Sequence, residues 1–139
     1  MPGIREDYIE RMVEQLVAAL ASILKLGATR KSDEAQALIH QTSLSLFGLE
    51  YRMLLTFDPG SVAELLGHPE KILALARLMS AEADLLQGRG DLEAVTHRLT
   101  RALALAQEGQ RRRSKPDPED EGLLRSVREK LARLGIVPG

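Results

Sequence analysis

The chain has 139 residues, with 19 Lys plus Arg against 20 Asp plus Glu, and the resulting net charge of −1 excludes a broadly basic nucleic-acid binder. With 44 % apolar and 28 % charged residues it has the ratio of a folded domain, long enough to bury one core without staples. The absence of cysteine excludes thiol catalysis, thiolate zinc sites and disulfide frameworks together, and it fits a reducing intracellular compartment.

Leu and Ala supply 41 residues, whereas Val, Ile and Thr supply 17 and the aromatics 4, so helix formers crowd out strand formers. The chain reads as all-α. Its opening, Met1-Pro2-Gly3-Ile4-Arg5-Glu6-Asp7, puts charges where a secretory leader needs an apolar run. No uncharged apolar stretch approaches the roughly 18 to 20 residues of a membrane span. A cytoplasmic protein without membrane association is expected.

From Arg5 to Leu26, Ile9, Val13, Leu16, Leu20 and Ile23 recur at spacings of four and three, the face of a helix. Tyr8, Met12, Val17 and Leu24 widen that face, Glu6 and Asp7 suit its first turn, and Gly27 is the expected stop. A second helix is expected to be capped by Ser32 or Asp33 and to run through Ala35, Leu38, Ile39, Thr42 and Leu46 to Gly48. The short connection predicts an antiparallel helix hairpin. Glu50 to Phe57 is apolar enough for a short helix, and Asp58-Pro59, with Ser61 and Glu64 at capping-box spacing, predicts another that ends before Gly67.

Pro69 opens a helix in which Ile72, Leu75, Ala76, Met79, Ala83 and Leu86 form one face, broadened by Leu73, Leu78 and Leu85. Gly88-Arg89-Gly90-Asp91 breaks the chain, with Asp91 as the next cap. Leu92, Val95, Leu99, Ala102, Leu103 and Ala106 then carry a second hairpin as far as Gly109. Residues 110–120 hold two prolines and pass from basic Arg111, Arg112, Arg113 and Lys115 to acidic Asp117, Glu119 and Asp120, a solvated linker. Asp117 as cap and Pro118 announce a last helix with the stripe Leu123, Leu124, Val127, Leu131 and Leu134. The pairs Glu121/Arg125 and Glu129/Arg133 support it, and Gly135 ends it.

The expected architecture is thus five main helices and one or two short ones: antiparallel hairpins stacked as a degenerate tetratricopeptide-like superhelical bundle, with a C-terminal capping helix. Residues 1–109 form the hairpin domain, 110–120 the linker, and 121–139 the last helix, packed on the same domain or on a partner subunit. The hairpins overlay with Ala35 on Val95, Ile39 on Leu99 and Thr42 on Ala102. Ala83, Leu86, Gly90-Asp91, Val95, Leu99 and Ala102 follow the small/large pattern of a tetratricopeptide repeat. The consensus Trp and Tyr are missing, and residues 48–68 interrupt a period of about 34.

The stretch Ile4-Arg5-Glu6-Asp7-Tyr8-Ile9-Glu10-Arg11-Met12-Val13-Glu14-Gln15-Leu16, followed by Ala74-Leu75-Ala76-Arg77-Leu78-Met79-Ser80-Ala81-Glu82-Ala83-Asp84, resembles a family of small uncharacterised bacterial proteins with degenerate tetratricopeptide-like helices. The resemblance covers roughly residues 4 to 108. It implies a fold, and no activity, cofactor or functional residue.

No catalytic set stands out. His40, His68 and His97 are scattered, and although Glu93 and His97 share a helix face, further ligands would have to arrive from other helices. No metal site and no cofactor are expected. Glu82 and Asp84 sit in an apolar helix but point about 200° apart, so they cannot face each other as a carboxylate pair. Glu82 is expected to be partly buried and paired with an arginine from a neighbouring helix. Gly88-Arg89-Gly90 lacks the strand and third glycine of a dinucleotide loop, Arg89-Gly90-Asp91 is a coincidental tripeptide, and acids beside Arg111, Arg112, Arg113 and Lys115 cancel their field. The expected function is a non-enzymatic helical scaffold for a protein or peptide partner, without nucleic acid. Its contacts are expected on the helices holding Leu16 and Leu75, at Gln15 and Arg77. The alternatives are a homodimer formed through the apolar sector of residues 8 to 24 and the last helix, and a small-ligand-binding helical domain.

Overall fold

The computed structural model describes residues 4–136, with side chains from Asp7 onward. The expected first-turn placement of the Glu6 side chain and the last three residues of the 121–139 segment lie outside the described residues. Among them there are seven helices and no strand: α1 (Ile4–Ala28), α2 (Ser32–Phe47), α3 (Tyr51–Thr56), α4 (Pro59–Leu66), α5 (Pro69–Gly88), α6 (Leu92–Arg112) and α7 (Pro118–Arg133).

The apolar pattern of α5 explains its place. Ile72, Leu73, Ala74, Leu75 and Ala76 are buried in unbroken succession, and Leu78, Met79, Ala83, Leu85 and Leu86 follow, so the helix needs neighbours on nearly every side. It finds them in α6, α1, α2, α4 and α7. The amphipathic helices turn narrower stripes inward: Met12, Leu16 and Ile23 from α1, Ala35, Ile39 and Leu46 from α2, and Val95, Leu99, Ala102 and Ala106 from α6. The C-terminal helix lies on α6 and α5 of its own chain through Leu123, Leu124, Val127 and Leu131.

Several helix ends fall where the sequence places them. Asp58 accepts from the Ser61 backbone N–H at 3.0 Å, Asp91 from that of Ala94 at 3.2 Å, and Asp117 from that of Glu119 at 2.9 Å. Gly48, Gly90 and Gly135 take the left-handed conformation just beyond α2, α5 and α7.

Five local expectations are corrected. The first concerns α1, which continues through Gly27 to Ala28 and is closed by the turn that follows. Arg30 takes the left-handed conformation (φ 61°), with its N–H on the Gly27 carbonyl and that of Lys31 on the Leu26 carbonyl. Gly27 is a packing residue, since a Cβ there would meet Leu85 at 3.3 Å. The second is the start of α2, where neither Ser32 nor Asp33 caps. Lys31, already spent on closing α1, is the flanking residue, and the Ser32 hydroxyl is buried without a hydrogen-bond partner. Third, α4 is capped by Asp58 and has no Ser61/Glu64 box; the Ser61 hydroxyl itself donates to Asp58. Fourth, α6 runs past Gly109 to Arg112.

The fifth correction limits the solvated linker: Arg111, Ser114, Lys115 and Pro116 are exposed, but Arg112 and Arg113 belong to an ion cluster. Arg113 donates to Glu70 on α5 at 2.5 Å and to Asp120 on α7, whose side chain is fully buried. Arg112 reaches Glu64 on α4 at 3.1 Å. Carboxylates on three helices thereby fix a segment that contains no apolar residue. In α7 the expected Glu121/Arg125 and Glu129/Arg133 pairs do not form among the described residues, and Glu121 accepts from Gln110 on α6.

Candidate functional site

Along one side of α5 the side chains are small or short: Ser80, Ala81 and, at the end of the helix, Gly88. The neighbours α1 and α7 rise on either side, and between them lies a trough of about 450 Å³. Its α1 wall is Leu20, Ile23, Leu24, Gly27 and Ala28; its α7 wall is Leu123 and Lys130. The lining is mostly carbon. Lys130 holds the α7 wall in place by donating to the Ser80 hydroxyl at 2.9 Å and to Asp84 at 3.1 Å. Towards the other end of α5, a recess of about 90 Å³ lined by Val13, Leu16, Val17 and Leu20 shares Arg77 with the trough.

The crest of the α1 wall faces solvent. Leu24 is 71 % exposed and Val17 62 %, while Val13 and Tyr8 are also exposed. Scattered exposed apolar residues are ordinary on a protein surface; here they follow one another along α1, beside the trough at Leu24 and beside the recess at Val13 and Val17.

The expected contact residues are placed apart. Arg77 lines the trough and reaches Glu119 at 3.6 Å. Gln15 lies in a separate cleft between α1 and α2, beside Tyr8, Arg11, Ser45 and Leu46. The sequence reading placed Leu24 in the apolar sector of residues 8 to 24 but did not bring Leu24, Ala81 and Lys130 together as the lining of one trough. The exposed spacing Val17–Leu24 carried some signal, but nothing local indicated that α7 would come to rest opposite α1.

The groups with potential chemistry have structural roles. Glu82, 2 % exposed, accepts from the Tyr51 hydroxyl at 2.8 Å and from Arg98 on α6, an arrangement that joins α3, α5 and α6. Burial, and then the Glu82 carboxylate, raise the Tyr51 phenol well above its ordinary pKa, so it stays protonated and donates. Next to it Arg101 donates to the carbonyls of Leu54 (2.8 Å) and Phe57, closing the end of α3 against α6. Asp84 sits at the trough rim with Lys130, away from Glu82.

His40 stacks edge-on to Tyr51 with centroids 5.4 Å apart, His68 caps α5 by accepting from the Glu70 N–H at 3.0 Å, and His97 contacts Arg98 at 2.6 Å. Partial burial, followed by Arg98 and Arg101, holds the His97 imidazole below its ordinary pKa. Among the described residues no three His, Asp or Glu side chains are grouped to hold a metal ion. Nor is any described helix long and apolar enough to cross a membrane. No protein-family model, curated protein or solved structure matches this chain.

Proposed function

We propose that the chain is a non-enzymatic helical scaffold that docks a protein or peptide segment along the trough between α1, α5 and α7. One observation carries this reading: an apolar trough and its adjoining recess, bordered by a solvent-facing line on α1, Leu24 at the trough and Val13 and Val17 at the recess. A helix with an apolar stripe would bury that line together with the trough lining, the way amphipathic helices are held in grooves. The packing of α1 on α2 and of α5 on α6, with α1 and α2 both against α5, supports a tetratricopeptide-like stack of two antiparallel hairpins, capped by α7. In such stacks the first helix of each pair forms the binding face, and here α1 and α5 build most of the trough. Arg77 is a rim contact in this reading, and Gln15 lies outside it. A cysteine-free chain fits the reducing cytoplasm.

The test is affinity capture from the source cell with the wild-type chain, Leu24→Glu and Ala81→Trp as bait. Leu24 is exposed and Ala81 half-buried, so both variants keep the fold, verified by circular dichroism. A specific partner retained by wild type and lost by both variants is the expected outcome. Equal capture by all three baits overturns the proposal.

A further inference from the structure

We infer that the helix that fills the trough is α1 of a second copy of this chain, laid antiparallel to the first α1 in a twofold-symmetric dimer. The inference rests on the docking reading above and names its occupant. Val13, Val17, Leu20 and Leu24 are spaced by four, three and four residues, so they form a straight seam along one side of α1. Leu20 and Leu24 are also part of the trough wall, so ridge and trough are adjacent on one surface. That adjacency is what a self-complementary interface requires: each copy's ridge enters the other's trough about one axis.

Charge fixes the direction. The exposed charges on the first half of α1 are three acids, Asp7, Glu10 and Glu14, and one base, Arg11; those at its end and in the following turn are basic, Lys25, Arg30 and Lys31; and residues 15–24 carry no charge. A parallel pair would set like charges side by side. In the antiparallel pair with its axis between Ala18 and Ala19, Val13 meets the partner's Leu24 and Val17 meets the partner's Leu20. Lys25 then falls between the partner's Glu10 and the partner's Glu14, about 3 Å along the helix from each, within reach of its flexible side chain. Arg30 comes level with the partner's Asp7. Apolar seam and flanking charges thus agree on one register, as in antiparallel coiled coils.

Light scattering and sedimentation of the full chain from about 1 to about 100 µM test this. The expected mass is twice 15.3 kDa for wild type and 15.3 kDa for Leu24→Glu, with unchanged helix content. Glu10→Lys combined with Glu14→Lys should weaken the dimer at least about tenfold, and adding Lys25→Glu should restore it, because the contact of residue 25 with the partner's residues 10 and 14 is then attractive again with its signs exchanged. A wild type that is monomeric throughout the range overturns the inference. So does a dimer indifferent to Leu24→Glu, or a charge reversal that fails to restore mass. If the chain is monomeric yet captures a different protein in a Leu24-dependent manner, only the identity of the occupant falls and the docking reading survives; if Leu24→Glu affects neither mass nor capture, both fall.

Discussion

Gly109 lies inside α6 because a side chain there would strike Leu73, with an added Cβ 2.7 Å from its Cγ and 3.1 Å from its Cδ2. Leu73 is itself buried on the central helix, and the contact is at its Cγ and not only at its flexible end. Helix propensity alone predicts that Gly109→Ala stabilises by up to about 1 kcal/mol. The packing predicts the opposite sign, a loss of about 1 to 3 kcal/mol from overpacking, and urea unfolding of the variant decides between them. Glu82 presents a different problem, a carboxylate taken out of water and balanced by Arg98 and Tyr51. Arg98→Ala strands the charge and should cost about 3 to 5 kcal/mol. Tyr51→Phe removes one neutral donor and should cost about 1 to 2 kcal/mol, so the ratio of the two losses in thermal unfolding tests whether charge or hydrogen bonding dominates. An Arg98→Ala loss no larger than that of Tyr51→Phe would refute the assignment. Glu82 and an arginine from a neighbouring helix were foreseeable, because an acid amid Leu, Met and Ala must be neutralised. That the arginine is Arg98, and that Tyr51 joins it, depends on which turn of α6 and which end of α3 meet α5.

The segment from Arg112 to Asp120 ties α7 down by ions. Arg113 sits between Glu70 and the buried Asp120, and its guanidinium pKa is raised by the hydrogen bonds it donates to Asp120 and then to Glu70. Removing the cation alone leaves Asp120 unpaired inside the protein. Arg113→Ala should therefore lose about 3 to 5 kcal/mol and raise amide hydrogen exchange first in α7, whereas Arg113→Met with Asp120→Leu should lose clearly less. Equal losses in the two variants would mean that the cluster contributes packing and no compensated charge. Composition could not separate the two here: basic and acidic residues flanking prolines describe a solvated linker, as Ser114 to Pro116 are, just as well as they describe a folded ion cluster. The two are distinguished by Glu70, 43 residues away on α5.

All seven helices share one core. Tyr51, Ile39, Leu54, Ile72, Leu75, Leu99, Leu105 and Leu131, from five helices, are each almost fully buried in one cluster, which Met12 and Leu16 join from α1 and Val62 and Ala63 from α4. Unfolding should therefore be a single transition. Near-ultraviolet dichroism, dominated by buried Tyr51 in a chain without tryptophan, should give the same midpoint as helix dichroism at 222 nm. An earlier loss of helix signal would mean that α7 or α1 melts independently of the α5 core.

Helical class, the approximate number of helices, the caps Asp58, Asp91 and Asp117 and the stops Gly48, Gly90 and Gly135 were legible along the chain. Each is set by groups within one turn: an apolar period of 3.6, a side-chain oxygen facing free N–H groups, a residue able to adopt positive φ. Which glycine separates elements and which admits a neighbour is not local, and Gly27 and Gly109 were read as stops because the side chains they accommodate, Leu85 and Leu73, belong to α5. The trough is decided at the same level. Amphipathicity required α7 to lie on something, but the space between α1 and α7 exists only because burial of Leu123, Val127 and Leu131, the Lys130 bonds to Ser80 and Asp84, and the Arg113 cluster fix where α7 rests on α5 and α6. Short-range hydrogen bonding writes its donors and acceptors into neighbouring positions; packing and charge pairing join residues tens of positions apart, and only the assembled chain brings those together.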